Sequence, residues 1–310
     1  MRASIFGPKT AVVALAACGV AYCDGQKPMQ NNATGTSKDS TPTLGKNPLD
    51  ENFKDYVDDL RDHFHVPGIA VGIVDGEDAY TEGYGYSRLD TKDEVDADTL
   101  FYLASITKNL MAATLLHVLD STVNSSRPLS MDTKLHEIIP DDFVLTDDYA
   151  TLHATIKDIF CHRLGYPGHD MSYGEGKMTA ADAVRRLRHL PMRKELREEM
   201  QYFNIGYTIV QHLVQTLTGK WVGDLQKEAF FKPLGMDSST MMLSEALESG
   251  HTVAHGYAWD DLAETMVRQP WWEGLLVGPG GLITSVRDYT KYLKAAIEQE
   301  LPMSKELQTA

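Results

Sequence analysis

Ser105 and Lys108 stand three residues apart in the stretch Ser105-Ile106-Thr107-Lys108. On a helix that spacing places both side chains on one face. A serine hydroxyl is a weak nucleophile and needs a base to take its proton. A lysine serves only if its amine is neutral. Lowering its pKa by ~3 units costs about 4 kcal/mol, which a buried site supplies and a surface helix does not. Alone, such a pair is also what an ordinary helix start looks like. A second pair, Tyr202-Phe203-Asn204, precedes another helical stretch. In an extended segment the tyrosine and asparagine project to the same side. A phenol beside a lysine relays protons, and an asparagine amide holds a substrate carbonyl. The plain alternative is an aromatic packed against a helix start.

These residues need elements to carry them. Phe53, Val57, Leu60 and Phe64 recur at helical spacing up to Pro67-Gly68. Ile69 to Val74 is an apolar run, followed by the turn pair Asp75-Gly76 and a roughly alternating Ala79 to Tyr84, which predicts a β-hairpin. Further helices are expected from Ser105 to about Leu119, Thr179 to Leu190, Asn204 to Leu217 and Ser285 to Ile297. Thr179 with Asp182, and Ser285 with Asp288, form capping pairs, and Gly219 closes the third helix. No other stretch reads as a long strand, so the sheet lacks partners.

The ordered set of motifs resembles the β-lactamase-related family, which includes class C β-lactamases, D-alanyl-D-alanine peptidases, other penicillin-binding-protein-like enzymes and related esterases. The resemblance rests on Val66-Pro67-Gly68-Ile69-Ala70-Val71, Tyr84-Gly85-Tyr86, Thr99 through Lys108, and a His162-Arg163-Leu164-Gly165 loop. Tyr202-Phe203-Asn204, Lys232-Pro233-Leu234-Gly235-Met236 and Gly278-Pro279-Gly280-Gly281-Leu282 complete it. It implies an α+β fold, an antiparallel sheet flanked by helices with a helical subdomain. It implies a serine acyl-transfer hydrolase acting through an acyl-enzyme on small-molecule or peptide amides and esters. Ser105 would be the nucleophile, Lys108 and Tyr202 would share general-base and general-acid work, Asn204 would bind substrate, and the Ser105 N–H would supply half an oxyanion hole. No cofactor is implied. The family's third motif, Lys-Thr-Gly or His-x-Gly after the Gly-Gly-Leu segment, does not occur; His255-Gly256-Tyr257 lies too early. The expectation is therefore a domain over residues 48–310 that lacks its C-terminal strands. The rival reading is a truncated, catalytically inactive relative with a binding or structural role.

The chain has 310 residues, enough for a large core, and a net charge of -15, which opposes binding to nucleic acid or anionic membranes. Residues 1–23 read as an export signal. Arg2 and Lys9 precede the apolar run Ala11 to Val20, which is too short to span a bilayer, with cleavage after Ala21 or Cys23. A secreted protein is expected; the alternative is a bacterial lipoprotein anchored at Cys18 in Leu15-Ala16-Ala17-Cys18. Residues 24–47, rich in Asn, Thr, Ser and Lys, read as a flexible linker. Three decoys are set aside. Asp170-Met171-Ser172-Tyr173-Gly174 lacks the strand a nucleophile elbow requires. His63-Phe64-His65 lacks a third ligand, so no metal site is assigned. Trp271-Trp272 reads as a packed loop.

Overall fold

The computed structural model describes residues 10–16, 47–173, 178–271, 274 and 276–309. Helix α1 (Glu51–His63) is started by Asp50, whose carboxylate accepts the Phe53 N–H at 3.1 Å. Its apolar stripe meets strand β2 (Gly68–Asp75) and strand β3 (Asp78–Arg88), where Val57 packs with Val71, Ile73 and Tyr84. The opposite face of β2 carries Ala70, Gly72 and Val74. A side chain at Gly72 would collide with Thr290 and Val286 of the last long helix. Helices thus cover β2 on both faces, which explains why it reads as an unbroken apolar run rather than an alternating one. The hairpin expected over residues 69–84 is present, closed by Gly76 at φ 58° and Glu77.

The sheet is larger than expected. Strand β1 (Thr10–Ala16) pairs antiparallel with β2 in unbroken register from Thr10↔Asp75 to Ala16↔Ile69, and β4 (Asp93–Glu94) extends the other side. A second pairing joins β5 (Leu100–Tyr102) to β8 (Ile283–Ser285), and β6 (Gly256–Asp260) forms a hairpin with β7 (Thr265–Gln269). The expectation that residues 69–84 hold all the sheet material is therefore corrected. Strands of two to five residues are too short to show alternation, and β1 lies inside the run that reads as an export signal. The remainder of residues 1–23, including Cys18, and the linker up to residue 46 lie outside the described residues.

The helical body surrounds two long helices, α2 (Thr107–Ser121) and α3 (Asn204–Thr218), packed on each other. Leu110, Met111, Leu115 and Leu119 of α2 are almost wholly buried, as are Ile209, Val210, Leu213 and Val214 of α3. Gly219 ends α3 in the left-handed conformation, φ 68°. Helix α4 (Val286–Ile297) backs the sheet; the Ser285 hydroxyl caps it by accepting the Asp288 N–H at 3.2 Å. Thr179 and Asp182 form the expected capping box, although their helix ends at Arg186 and closes in a tighter turn. Among the described residues no helix is long and apolar enough to cross a membrane.

Candidate active site

Ser105 stands at the junction of sheet and helical body. Chain leaving β5 enters a 3-10 turn, Ala104–Ile106, that runs on into α2. Ala104 takes φ 43°, a left-handed conformation costing an alanine about 1–2 kcal/mol. The turn is held by the segment before β8: the Leu103 N–H donates to the Leu282 carbonyl at 2.9 Å, and the Leu282 N–H donates to the Thr107 hydroxyl at 3.1 Å. Ser105 is exposed, and its backbone N–H belongs to a first helical turn, where such groups have no intrahelical acceptor.

Lys108, one turn on, is 6% exposed. Its ammonium donates to the Ser105 Oγ at 3.0 Å and to the Pro279 carbonyl at 2.7 Å. Pro279 is held in turn, since the neighbouring Gly278 N–H donates to the Gln211 side-chain oxygen of α3 at 3.0 Å. Burial pushes the Lys108 pKa below its ordinary value, against the opposing pull of Tyr202 and Asp170. Tyr202 donates its hydroxyl to the Ser105 Oγ at 2.6 Å, and the Lys108 Nζ lies 4.9 Å from the Tyr202 ring centre. Ser105, Lys108 and Tyr202 therefore converge on one oxygen. Phe203, between Tyr202 and Asn204, is buried and stacks on Tyr166 with ring centres 5.2 Å apart, which fixes the segment in the core. Asn204 begins α3, with its side-chain amide donating to the Asp170 carboxylate at 2.9 Å.

Two contributors carry no motif of their own in the sequence. The Gln211 amide is positioned by the fold, which also decides that the Pro279 carbonyl, within the Gly278-to-Leu282 motif, faces Lys108. Asp170 is known to the sequence only through the rejected elbow. The half-buried His162 was legible only as part of the His-Arg-x-Gly loop; its Nδ1 accepts the Phe203 N–H at 3.1 Å. The decoys make other contacts. Ser172 lies in a 3-10 turn and donates to the His169 carbonyl at 2.7 Å. His65 stacks on Trp259 at 3.7 Å, and Trp271 donates to the Ala254 carbonyl at 3.0 Å within a packed cluster. His255 is buried with its ring edge-on to Trp271.

The family model described as Beta-lactamase matches residues 53–310. The chain belongs to the beta-lactamase family. It is 35% identical over 257 residues to an unguisins hydrolase of Aspergillus campestris, covering 81% of this chain and 48% of that protein. It is 25% identical over 205 residues to penicillin-binding protein 4 of Amycolatopsis lactamdurans, covering 66% of this chain and 52% of the other. The chain thus spans about half the length of the curated relatives it matches. Among solved structures, the octameric penicillin-binding protein homologue from Pyrococcus abyssi superposes with a TM-score of 0.71 at 24% identity, over 83% of this chain and 58% of that one. A D-amino acid amidase from Ochrobactrum anthropi, complexed with L-phenylalanine amide, gives 0.68 at 24% identity, over 83% and 72%. These neighbours share the β-lactamase/transpeptidase-like fold. Family membership makes the chain a member of a serine hydrolase group, with mixed helix and sheet as expected.

Proposed function

We propose that this chain carries out serine acyl transfer through an acyl-enzyme on Ser105. The observation that carries the reading is the convergence of the Lys108 Nζ and the Tyr202 hydroxyl on the Ser105 Oγ at 3.0 and 2.6 Å. Burial of Lys108 favours the neutral amine. In that form it keeps a donor for the Pro279 carbonyl and accepts the Ser105 proton. The Ser105 Oγ then bonds to the substrate carbonyl carbon, and the oxyanion formed meets the Ser105 N–H. Tyr202 gives its proton to the leaving nitrogen or oxygen as that bond breaks and regains one from the Lys108 ammonium. Water reverses these steps, breaking the Ser105 ester and releasing the acid. Asn204 holds the substrate amide in this reading, exchanging its contact with Asp170 for that amide.

The substrate class we infer is an amide or peptide bond. The D-amino acid amidase neighbour carries that chemistry in its name, and Ser105 is exposed. The test is labelling of the full chain with a fluorophosphonate or a fluorescent penicillin, mapped by mass spectrometry. The expected adduct is on Ser105 and absent from Ser105→Ala. Label on Ser172, or an unchanged yield in the variant, overturns the proposal and returns the chain to a binding role.

A further inference from the structure

We propose that His162 is a positioning residue, holding Tyr202 against Ser105 only while its imidazole is neutral with the proton on Nε2. The proposal rests on the reading of Ser105 as the nucleophile. His162 grips the extended segment ahead of α3 twice. Its carbonyl accepts the Gln201 N–H at 2.8 Å, and its Nδ1 accepts the Phe203 N–H at 3.1 Å. Alternate N–H groups of an extended chain point the same way, so one residue meets both, as a partner strand would. His162 does so at φ 53°, a left-handed conformation in which histidine is over-represented among non-glycine residues. Between the two gripped amides lies Tyr202, whose ring centre is 4.7 Å from that of His162. The His162 carbonyl thus holds the chain before Tyr202, and its imidazole holds the chain after it and lies beside its ring.

The amide of Phe203 can only donate, so Nδ1 must be unprotonated for the bond to exist. Protonation turns Nδ1 into a donor facing a donor. The groups around the ring make that protonation unfavourable. Lys108 of α2 stands close enough for its charge to oppose a second one, Tyr202 and Tyr207 offer aromatic faces, and Cys161 and Arg163 flank it in the chain. The Arg163 guanidinium is turned to Asp158 at 3.2 Å. Burial first, and Lys108 second, lower the His162 pKa below its ordinary value, outweighing the Phe203 bond. In falling pH the Nδ1 half of the grip is lost as the pH passes through that lowered value, while the Gln201 bond to the His162 carbonyl stays. Tyr202 then loses the support on its C-terminal side, in addition to any protonation of Lys108.

Asparagine separates this role from a general structural one. Its Oδ1 occupies the place of Nδ1, accepts the same N–H, tolerates a left-handed φ and does not titrate. The experiment measures the rate of Ser105 acylation by a fluorophosphonate against pH for the full chain, His162→Asn and His162→Ala, with a thermal melt of each. His162→Asn is expected to keep most of the neutral-pH rate and to lose the steeper part of the acid limb. His162→Ala, lacking the acceptor, is expected to be roughly tenfold slower throughout, the usual consequence of one lost hydrogen bond. If His162→Ala does not fold, His162→Gln, whose acceptor sits one bond too far out, replaces it with the same expectation. Equal rates in all variants, or an asparagine variant as slow as the alanine one, overturns the proposal. Hydrogen exchange at the Phe203 amide distinguishes the two readings should Ser105 resist labelling. Protection kept by Asn and lost by Ala supports the grip even then, and unchanged protection in Ala ends it.

Discussion

Lys108 is held by two acceptors and by burial, and these pull in opposite directions on its proton. Its lowered pKa has consequences of definite sign. The proposed acylation requires the neutral amine, so its rate should rise with pH through the folded-state value, which lies below 10.5. Between that value and 10.5 the unfolded chain binds more protons, so the Lys108 contribution to stability improves as pH rises through this window. Lys108→Met removes the base while keeping the volume. Acylation should fall by about 10²-fold or more, yet the melting temperature at neutral pH should hold or rise, because no charge is left to desolvate. A melt several degrees lower would show that the Pro279 contact outweighs burial. Ser105, Lys108, Tyr202 and Asn204 were legible through the ordered set of motifs that carries the family resemblance, since the spacing of each pair alone also suits an ordinary helix start. The Pro279 carbonyl was not, since every residue has a carbonyl and only the fold decides which one faces an ammonium. Nor was the Asn204 contact to Asp170, whose partners are far apart in sequence.

Two elements hold the site residues in place. The short helix Ile156–Phe160 opens with a capping box missed in the sequence, in which Asp158 accepts from the Thr155 N–H at 3.0 Å and hydroxyl at 2.8 Å. The same buried carboxylate takes Arg163 at 3.2 Å and Arg197 at 2.8 Å, tying together the loop that bears His162 and the segment that leads to Tyr202. Burial raises its pKa, but Arg197 and Thr155 outweigh this and hold the carboxyl below its usual range. Its stabilisation is present above the ordinary carboxylate pKa and is lost as pH falls through the lowered one. Asp158→Ala should cost about 2–3 kcal/mol in urea unfolding, under the full penalty of a broken buried pair because both freed arginines reach solvent; a change below the usual surface scatter refutes the knot. The second element is the turn before β8. A side chain at Gly278 would collide with the Tyr207 carbonyl. Gly278→Ala should therefore move the Pro279 carbonyl from Lys108 and slow acylation with little change in substrate affinity, read as kcat against KM. The long helices and the β2–β3 hairpin were legible from periodicity and caps. β5 and β8, three residues each, owe their existence to each other rather than to local pattern.

At the scale of the molecule, residues 10–16 answer to two descriptions. In sequence they are the apolar run of an expected export signal. In the structure they are β1, paired with β2 along its whole length, with Val13 buried against Gly72 and the strand lying on α4. The sequence could not separate these uses, because a short run of Val, Ala and Leu suits a signal and a strand equally. Cleavage after Ala21 or Cys23 would remove the strand and open an edge of β2, whose side chains are covered on both faces. Burying one valine is worth about 1.5–3 kcal/mol, and each sheet hydrogen bond adds about 0.5–1.5 kcal/mol net. The sum is several kcal/mol, a large share of the 5–15 kcal/mol that ordinarily separates folded from unfolded states. A chain beginning at Asp24 should thus melt well below one beginning at Met1, and its open edge should recruit other copies. Calorimetry and size-exclusion chromatography at increasing concentration measure both effects. An identical melt and an unchanged elution volume would mean that β2 does not depend on β1, and that the export reading alone describes those seven residues.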